Sequence, residues 1–312
     1  MYNSYQSRPY KHPDDFPAVI ALARARDAAR VDDYPGLSDL QELLCRAKIQ
    51  ENCRLWFQNS SHLAGYAFND HYPDFSGISF EFAPKCAGVG GEMIAWCQDN
   101  FRQHRREQAA QLQLSVAPED TGRIGLLLAH GFKQENWSLV KMSRKVTDPF
   151  LPPRLPDGFS IRNFLGEAEM EEWVALHRAA FGTQELTAEY RRTWMQVPGY
   201  TRALDLVAVA PDGSLAAYVY YSAHLEENKL RGMNEGSVDS AGTLPVYRRL
   251  GLARALLLAG LSILKELGMD SASLTTASYN TAMQQSAYAA GFRQTGQILY
   301  FAKSIDAVED NR

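Results

Sequence analysis

The order of motifs in the first half of this chain is repeated in the second half. Near the start, SRPYKHPDDFPAVIALA reads as a short strand carrying Arg8, a polar turn and an amphipathic helix; SIRNFLGEAEMEEWVALH repeats that plan around Arg162. HLAGYAF (62–68) matches SLAAYVY (214–220), GVGGEMIAWCQDN (88–100) matches GLARALLLAGLSI (251–263), and DTGRIGLLLAHGF (120–132) matches NTAMQQSAYAAGF (280–292). Matches kept in one order at a nearly constant offset point to a tandem duplication. A duplicated chain must build two copies of one domain, which narrows its folds more than composition does. Between the copies lies TDPFLPPRLPDG (147–158), whose prolines resist both helix and central strand. The expected division is residues 1–148, a linker at 149–157, and 158–312.

The second copy alternates strands and helices, an α/β (α+β) pattern. FSIRNF reads as a strand. AEMEEWVALHRAAF reads as a helix with Met170, Trp173, Val174 and Leu176 on or near one face. TAEYRRTWMQV follows as a helix capped by Thr187. LDLVAVA and LAAYVYYSA flank Asp212-Gly213, a strong hairpin signal, and alternation sends Tyr218 and Tyr220 to one face and Tyr221 to the other. GSVDSAGTL is a further strand. LARALLLAGLSILKEL is a helix whose core stripe is Leu252, Ala255, Leu256, Ala259 and Ile263, widened by Leu257, Leu258, Leu261 and Leu264, with Gly268 as a left-handed stop. SASLTTA, TAMQQSAYAA and QILYFAKSI complete it as strand, helix and strand.

Composition excludes several function classes. Of 312 residues, 46% are apolar and 22% charged, as in chains that bury real cores. The formal net charge of −4 argues against broad nucleic-acid binding, which needs a basic face. Cys45, Cys53, Cys86 and Cys97 form no C-x-x-C pair and have no His cluster beside them, so no metal site is expected and the thiols are expected reduced. The polar start is unlike a signal peptide, and the longest apolar helix is short and carries Arg254 and Lys265. A cytoplasmic protein without membrane attachment, monomeric or homodimeric, is the expectation.

The stretch GTLPVYRRLGLARALL (242–257) sets the functional question. A helix start favours negative charge because its N–H groups are unpaired, yet Arg248 and Arg249 stand there. Either the arginines form a solvated basic turn, or an anion lies between them and the backbone. Gly251 would admit close approach and Ala253 keeps the site shallow, so a diphosphate fits the second reading.

In these residues the chain resembles the GNAT acyltransferase superfamily. Its acetyl-CoA signature, Gln or Arg, two residues, Gly, one residue, Gly or Ala, is matched by Arg248-Arg249-Leu250-Gly251-Leu252-Ala253, and Asn280 to Phe292 looks like its second signature. The resemblance covers 155–305. It implies two tandem GNAT-like domains, each a mixed, largely antiparallel sheet flanked by helices, and acetyl-CoA as the cofactor. Residues Arg248 to Arg254 would hold the pyrophosphate, while the backbone of Ala241, Gly242 and Thr243, with Asn280, would meet the pantetheine arm. Asn280 could equally cap its helix. The first copy has Lys85-Cys86-Ala87-Gly88-Val89-Gly90 in a loop two residues shorter, and Asp120 in place of Asn280, so it is expected to be a degenerate copy, structural or shaping the acceptor site.

The resemblance further implies direct attack of an amine of a small molecule or peptide on the thioester. The amine must be neutral, so a base is required. Asp239, on the face of Thr243, and Glu235, read as lying in a loop just upstream, are the candidate bases or else solvated carboxylates. The family's proton donor is a tyrosine four residues before the Gly-Phe pair; that position is Ala287, and Tyr288, one residue or about 100° around the helix, is expected to turn into the core. His177 reads as structural, and His224 as a residue that could face the acceptor. A non-catalytic acyl-CoA-binding scaffold and a transferase of longer acyl groups are the alternative readings.

Overall fold

A computed structural model describes residues 5–25, 35–59, 62–72, 75–104, 110–197 and 199–305. In chain order its elements are β1 (Tyr5–Pro9), α1 (Phe16–Arg24), α2 (Leu37–Leu44), α3 (Ala47–Glu51), β2 (Cys53–Gln58), β3 (His62–His71), β4 (Phe75–Phe82), α4 (Gly90–His104), β5 (Ala110–Val116), α5 (Thr121–Ala129), β6 (Lys133–Lys145) and β7 (Ser160–Asn163). They continue with α6 (Met170–Phe181), α7 (Ala188–Trp194), β8 (Asp205–Val209), β9 (Leu215–Ser222), α8 (Leu225–Arg231), β10 (Glu235–Thr243), α9 (Leu252–Glu266), β11 (Ser271–Ala277), α10 (Thr281–Ala289) and β12 (Arg293–Ile305). Met1 to Ser4 of the polar start lie outside the described residues. Among the described residues no helix is long and apolar enough to cross a membrane.

Two compact units form. One takes residues up to Ser138 together with those from Ile298 on; the other takes Leu139–Gln297. The units are therefore not consecutive halves divided at 149–157. In the first, β12 closes the sheet by pairing antiparallel with β5, Leu299 opposite Val116 through Ile305 opposite Ala110. In the second, the later part of β6 closes it by pairing with β11, Leu139 opposite Ala277 through Lys145 opposite Ser271. The first unit's sheet runs β1-β2-β3-β4-β5-β12 and the second's runs β7-β8-β9-β10-β11-β6. The expected mixed, largely antiparallel sheets are present: among the described residues each unit has one parallel pair, Phe75–Gly77 with Gln111–Gln113 and Glu235–Val238 with Ser271–Leu274.

The duplication extends to single hydrogen bonds. Arg8 grips Asp15 at 2.6 and 2.7 Å, and Asp15 also accepts from the Lys11 amide at 2.8 Å. Arg162 grips Glu169 likewise, one bond measuring 2.9 Å, and Glu169 accepts from the Leu165 amide at 3.0 Å. Both arginines tie a first strand to the start of a first helix. Asp120 caps α5 through the Arg123 amide at 3.1 Å, as Asn280 caps α10 through the Met283 amide at 3.2 Å. The Ala83 amide meets the Ala64 carbonyl at 2.8 Å, as Leu244 meets Ala216 at 2.9 Å, which fixes how β4 and β10 correspond.

Each sheet is covered on both faces. In the second unit, Leu256, Leu257, Leu261 and Leu264 of α9 pack with Tyr221, Leu274 and Phe292 on one side. Trp173, Val174, Leu176, Phe164 and Tyr218 fill the other. The alternation of Tyr218 and Tyr220 against Tyr221 holds. The α9 stripe lies slightly rotated from expectation: Leu257, Leu258, Leu261 and Leu264 are buried, whereas Ala259 and Ile263 are only half-buried. The short helix α8, which ends at left-handed Gly232, is not legible in the sequence, because LEENKLR carries almost no apolar stripe.

Candidate active site

The site is built where β10 leaves β11. After Val238 the parallel pairing stops, while β10 continues against β9 from Ser240–Tyr220 to Thr243–Ala217. The register slips between Val238 and Ser240, so Asp239 is the extra residue of a β-bulge. A bulge bends the strand and re-aims its side chains. It leaves the edge of Ala241, Gly242 and Thr243 turned away from β11. β4 of the first unit runs against β3 without such a slip.

Beyond Thr243 the chain makes a short 3-10 turn, Pro245–Tyr247, and enters the arginine loop. Arg248 is extended, Arg249 has φ 67° and Gly251 has φ 81°. A left-handed arginine is uncommon, and Gly251 suits its conformation where a Cβ would be strained. A Cβ built on Gly251 would meet nothing within 4 Å, so the loop opens outward. Helix α9 begins there with no side-chain cap and no acidic residue in its first turn. Its first turn closes with the Ala255 amide on the Gly251 carbonyl at 3.0 Å, so the first-turn amides before Ala255 have no carbonyl of the helix to pair with. Arg248 donates to the Ala180 carbonyl at 2.9 Å and Arg254 to the Ala289 carbonyl at 3.0 Å, which steadies both cations at the ends of α6 and α10. These residues fit a diphosphate: unpaired amides, a helix dipole and flanking guanidinium groups.

The first unit lacks this opening. Pro84–Val89 forms a 3-10 run that enters α4 directly, Gly90 is right-handed at φ −57°, and its amide bonds to Ala87. At the register of Ala241 and Gly242, the Phe80 carbonyl accepts from Arg123 at 2.9 Å and Glu81 pairs with Arg123 at 3.0 Å. Asp120 holds the same guanidinium at 3.2 Å. A side chain of the protein itself thus occupies that strand edge.

The structure separates the candidate catalytic residues. Asp239 stands at the bulge, partly exposed, 3.5 Å from His224 Nε2, which is itself 2.7 Å from Ser222 Oγ. Glu235 is not in a loop. It opens β10 opposite Ser271 and accepts from the Ser271 hydroxyl at 3.0 Å, roughly 25 Å of strand from Thr243 at about 3.3 Å per residue. Tyr288 does not turn into the core: it is 42% exposed, while Ala287 is fully buried. It directly precedes Ala289, whose carbonyl accepts from Arg254. Asn280 is a helix cap.

Sequence reasoning missed a chain of polar groups on this face, buried at its middle and half-buried at its ends. His177 Nδ1 lies 2.7 Å from Tyr218 Oη, and Tyr218 Oη lies 2.7 Å from Ser240 Oγ. Burial and then the charge of Arg191 lower the His177 pKa from 6.5 to about 4; burial raises that of Tyr218. Nearby, Arg191 and Asp205 form a fully buried pair, with the guanidinium 4.3 Å from the Trp173 ring and 5.5 Å from Tyr220. The only signal for the chain was the alternation that sets Tyr218 on the α6 face. Among the described residues no cluster could hold a metal ion, and the four cysteines are free thiols.

Comparison with known proteins identifies the family. A profile described as Acetyltransferase (GNAT) family matches residues 169–292. A mycothiol acetyltransferase of Kineococcus radiotolerans is 30% identical over 78% of this chain and 78% of its own length. The chain belongs to the GNAT acetyltransferase family. A mycothiol acetyltransferase of Thermobispora bispora is 29% identical over 92% of this chain and 96% of its own length. Among solved structures, a tandem GNAT protein from the clavulanic acid biosynthesis pathway superposes with TM-score 0.72 at 18% identity, covering 96% of this chain and 98% of that one. A GCN5-related N-acetyltransferase from Sphaerobacter thermophilus gives TM-score 0.71 at 19% identity, covering 96% and 95%. The tandem GNAT fold expected from the motifs is therefore present, and the chain is a GNAT-type N-acetyltransferase.

Proposed function

We propose that the second unit transfers the acetyl group of acetyl-CoA to the primary amine of a small molecule of the mycothiol class, the class named for the relatives. The observation that carries the reading is the open arginine loop, left-handed at Arg249 and Gly251, beside the free edge of β10. Arg248, Arg249 and Arg254 with the amides through Ala253 would hold the pyrophosphate. The backbone of Ala241 to Thr243 would hold the pantetheine arm. Asp239, at the bulge and 3.5 Å from His224, would be the base for the acceptor ammonium; Tyr288, exposed on α10, would protonate the leaving thiolate. Glu235 is left to structure. The first unit, its loop closed and its strand edge taken by Arg123, supports the fold without binding the cofactor. Free cysteines suit a reducing, cytoplasmic setting.

The test uses radiolabelled acetyl-CoA and a panel of amines that includes desacetylated mycothiol, peptides and simple alkylamines. Label is counted in the product, because a thiol-bearing acceptor would itself react with thiol dyes. Acetylation of the mycothiol-class amine well above the peptides is expected. Preference for peptides would move the acceptor class, and absence of transfer to every amine would sink the reading.

A further inference from the structure

Acetylating an ammonium group removes two protons from one nitrogen. The first leaves before attack, so that the nitrogen has a lone pair. When the C–N bond forms and the C–S bond breaks, the nitrogen carries a second surplus proton, and the departing thiolate takes one up. One base therefore does not complete the reaction on its own side: Asp239, once protonated, needs either a discharge or a second acceptor beside it.

We propose that Ser240, Tyr218 and His177 form a proton relay that drains the second proton from the acceptor nitrogen. The proposal rests on the acetyl-transfer reading of this site. Ser240 directly follows the bulge residue Asp239, and its hydroxyl is on the α6 face. From it the chain is continuous: Ser240 Oγ to Tyr218 Oη at 2.7 Å, then Tyr218 Oη to His177 Nδ1 at 2.7 Å. Tyr218 is 1% exposed, so the middle of the chain is dry, whereas Ser240 and His177 at its two ends are only half-buried. Such a chain has an entry, a sealed passage and an exit.

The parts are held still. The His177 ring stacks between Trp173, at 5.6 Å and 20°, and Phe181, at 4.6 Å and 20°. A Cβ on Gly242 would come 2.6 Å from the Tyr218 ring and 3.0 Å from Ala180, so the glycine at this position lets the phenol lie flat against the strand. In the relay, Ser240 takes the nitrogen's proton and passes its own to Tyr218. Tyr218 passes its own to His177 Nδ1, and the resulting imidazolium releases the Nε2 proton to solvent. No group is left ionised, and every bond made is matched by one broken. Burial keeps Tyr218 protonated at rest and keeps His177 neutral, which holds the chain loaded and its outlet quick to discharge. Ser240 would touch the reacting nitrogen; Tyr218 and His177 act through it.

The experiment is a proton inventory on the full chain, with the fastest acceptor of the panel and rates measured in mixtures of light and heavy water. The wild type should give a bowed dependence, because several protons move together. Tyr218→Phe, which deletes one oxygen from a buried ring, should lower kcat on the order of a hundredfold, leave the KM for acetyl-CoA within about twofold, and give a straight inventory. His177→Phe, which keeps the stacking, should do the same even if Tyr218→Phe folds poorly. A straight wild-type inventory, or variants that keep the wild-type kcat and curvature, would overturn the relay while leaving the acetyltransferase reading in place. A wild type that acetylates none of the panel overturns both.

Discussion

At the residue scale, Asp239 shows how a local irregularity makes a candidate base. The sequence supplies a carboxylate near the strand end but cannot announce the bulge, because an inserted residue looks like any other until its partners are known. With Val238 opposite Tyr221 and Ser240 opposite Tyr220, Asp239 is the residue left over. Asp239→Asn should lower kcat on the order of a hundredfold while leaving acetyl-CoA binding unchanged, as checked by steady-state kinetics and calorimetry. An unchanged kcat would remove it as the base. Tyr288 faces outward for a definable reason. One residue turns a helix by about 100°, and the inward direction belongs to Ala287, beside Ala290 and Phe292 in the core. Two histidines predict how stability responds to pH. His71 and His177 are both lowered from 6.5 to about 4, in each case first by burial. Between those values the unfolded chain binds protons that the folded imidazoles refuse, so stability is full above about 6.5 and falls as pH drops toward about 4. Urea titrations across that window should show the loss, and in His177→Phe the slope should be shallower; an identical slope would count against the assignment.

At the level of elements, two helices of matching place and length receive their chains differently. Helix α9 is entered through left-handed Arg249 and Gly251, and α4 through a 3-10 run that spends the Gly90 amide on Ala87. The pattern of arginines, glycine and alanine made the first legible in the sequence, since each residue type has a reason to stand near a diphosphate. The closure of the second was only partly legible. A loop shortened by two residues suggests a worn site, but the filling of its strand edge by Arg123 depends on Glu81 and Asp120 meeting in space. If α9 alone receives the cofactor, Arg248→Glu should weaken acetyl-CoA binding by at least about tenfold, roughly 1.4 kcal/mol. Lys85→Glu should leave it within about twofold, and titration calorimetry should find one cofactor per chain. Equal losses from the two reversals, or two cofactors per chain, would contradict that assignment.

At the scale of the whole molecule, a sequence that reads as two consecutive copies folds into units that each borrow the other copy's last strand. Proline content marks where the chain changes direction, so 149–157 reads as a boundary. Strand partnership over more than a hundred residues leaves no trace in periodicity, because β6 and β12 show the same alternation whichever sheet they join. The consequence is a prediction about dissection. A fragment of residues 1–148 lacks β12, and with it Phe301, Ala302 and Ile305, all buried in the described structure. A fragment of 158–312 lacks Val140, Met142 and Val146, together with Arg144, whose guanidinium donates to the Ala290 and Pro149 carbonyls. Burying a large apolar side chain is worth about 1.5–3 kcal/mol, and a domain has only about 5–15 kcal/mol in total. Either fragment therefore loses a large share of its stability and exposes a bare sheet edge. Each fragment alone should melt well below the intact chain or aggregate, and an equimolar mixture, refolded together, should recover a cooperative melt and bind acetyl-CoA. A 1–148 fragment that melts cooperatively at the intact chain's Tm would mean that the first unit does not need β12, and the exchanged strands would then have to be assigned to one copy each.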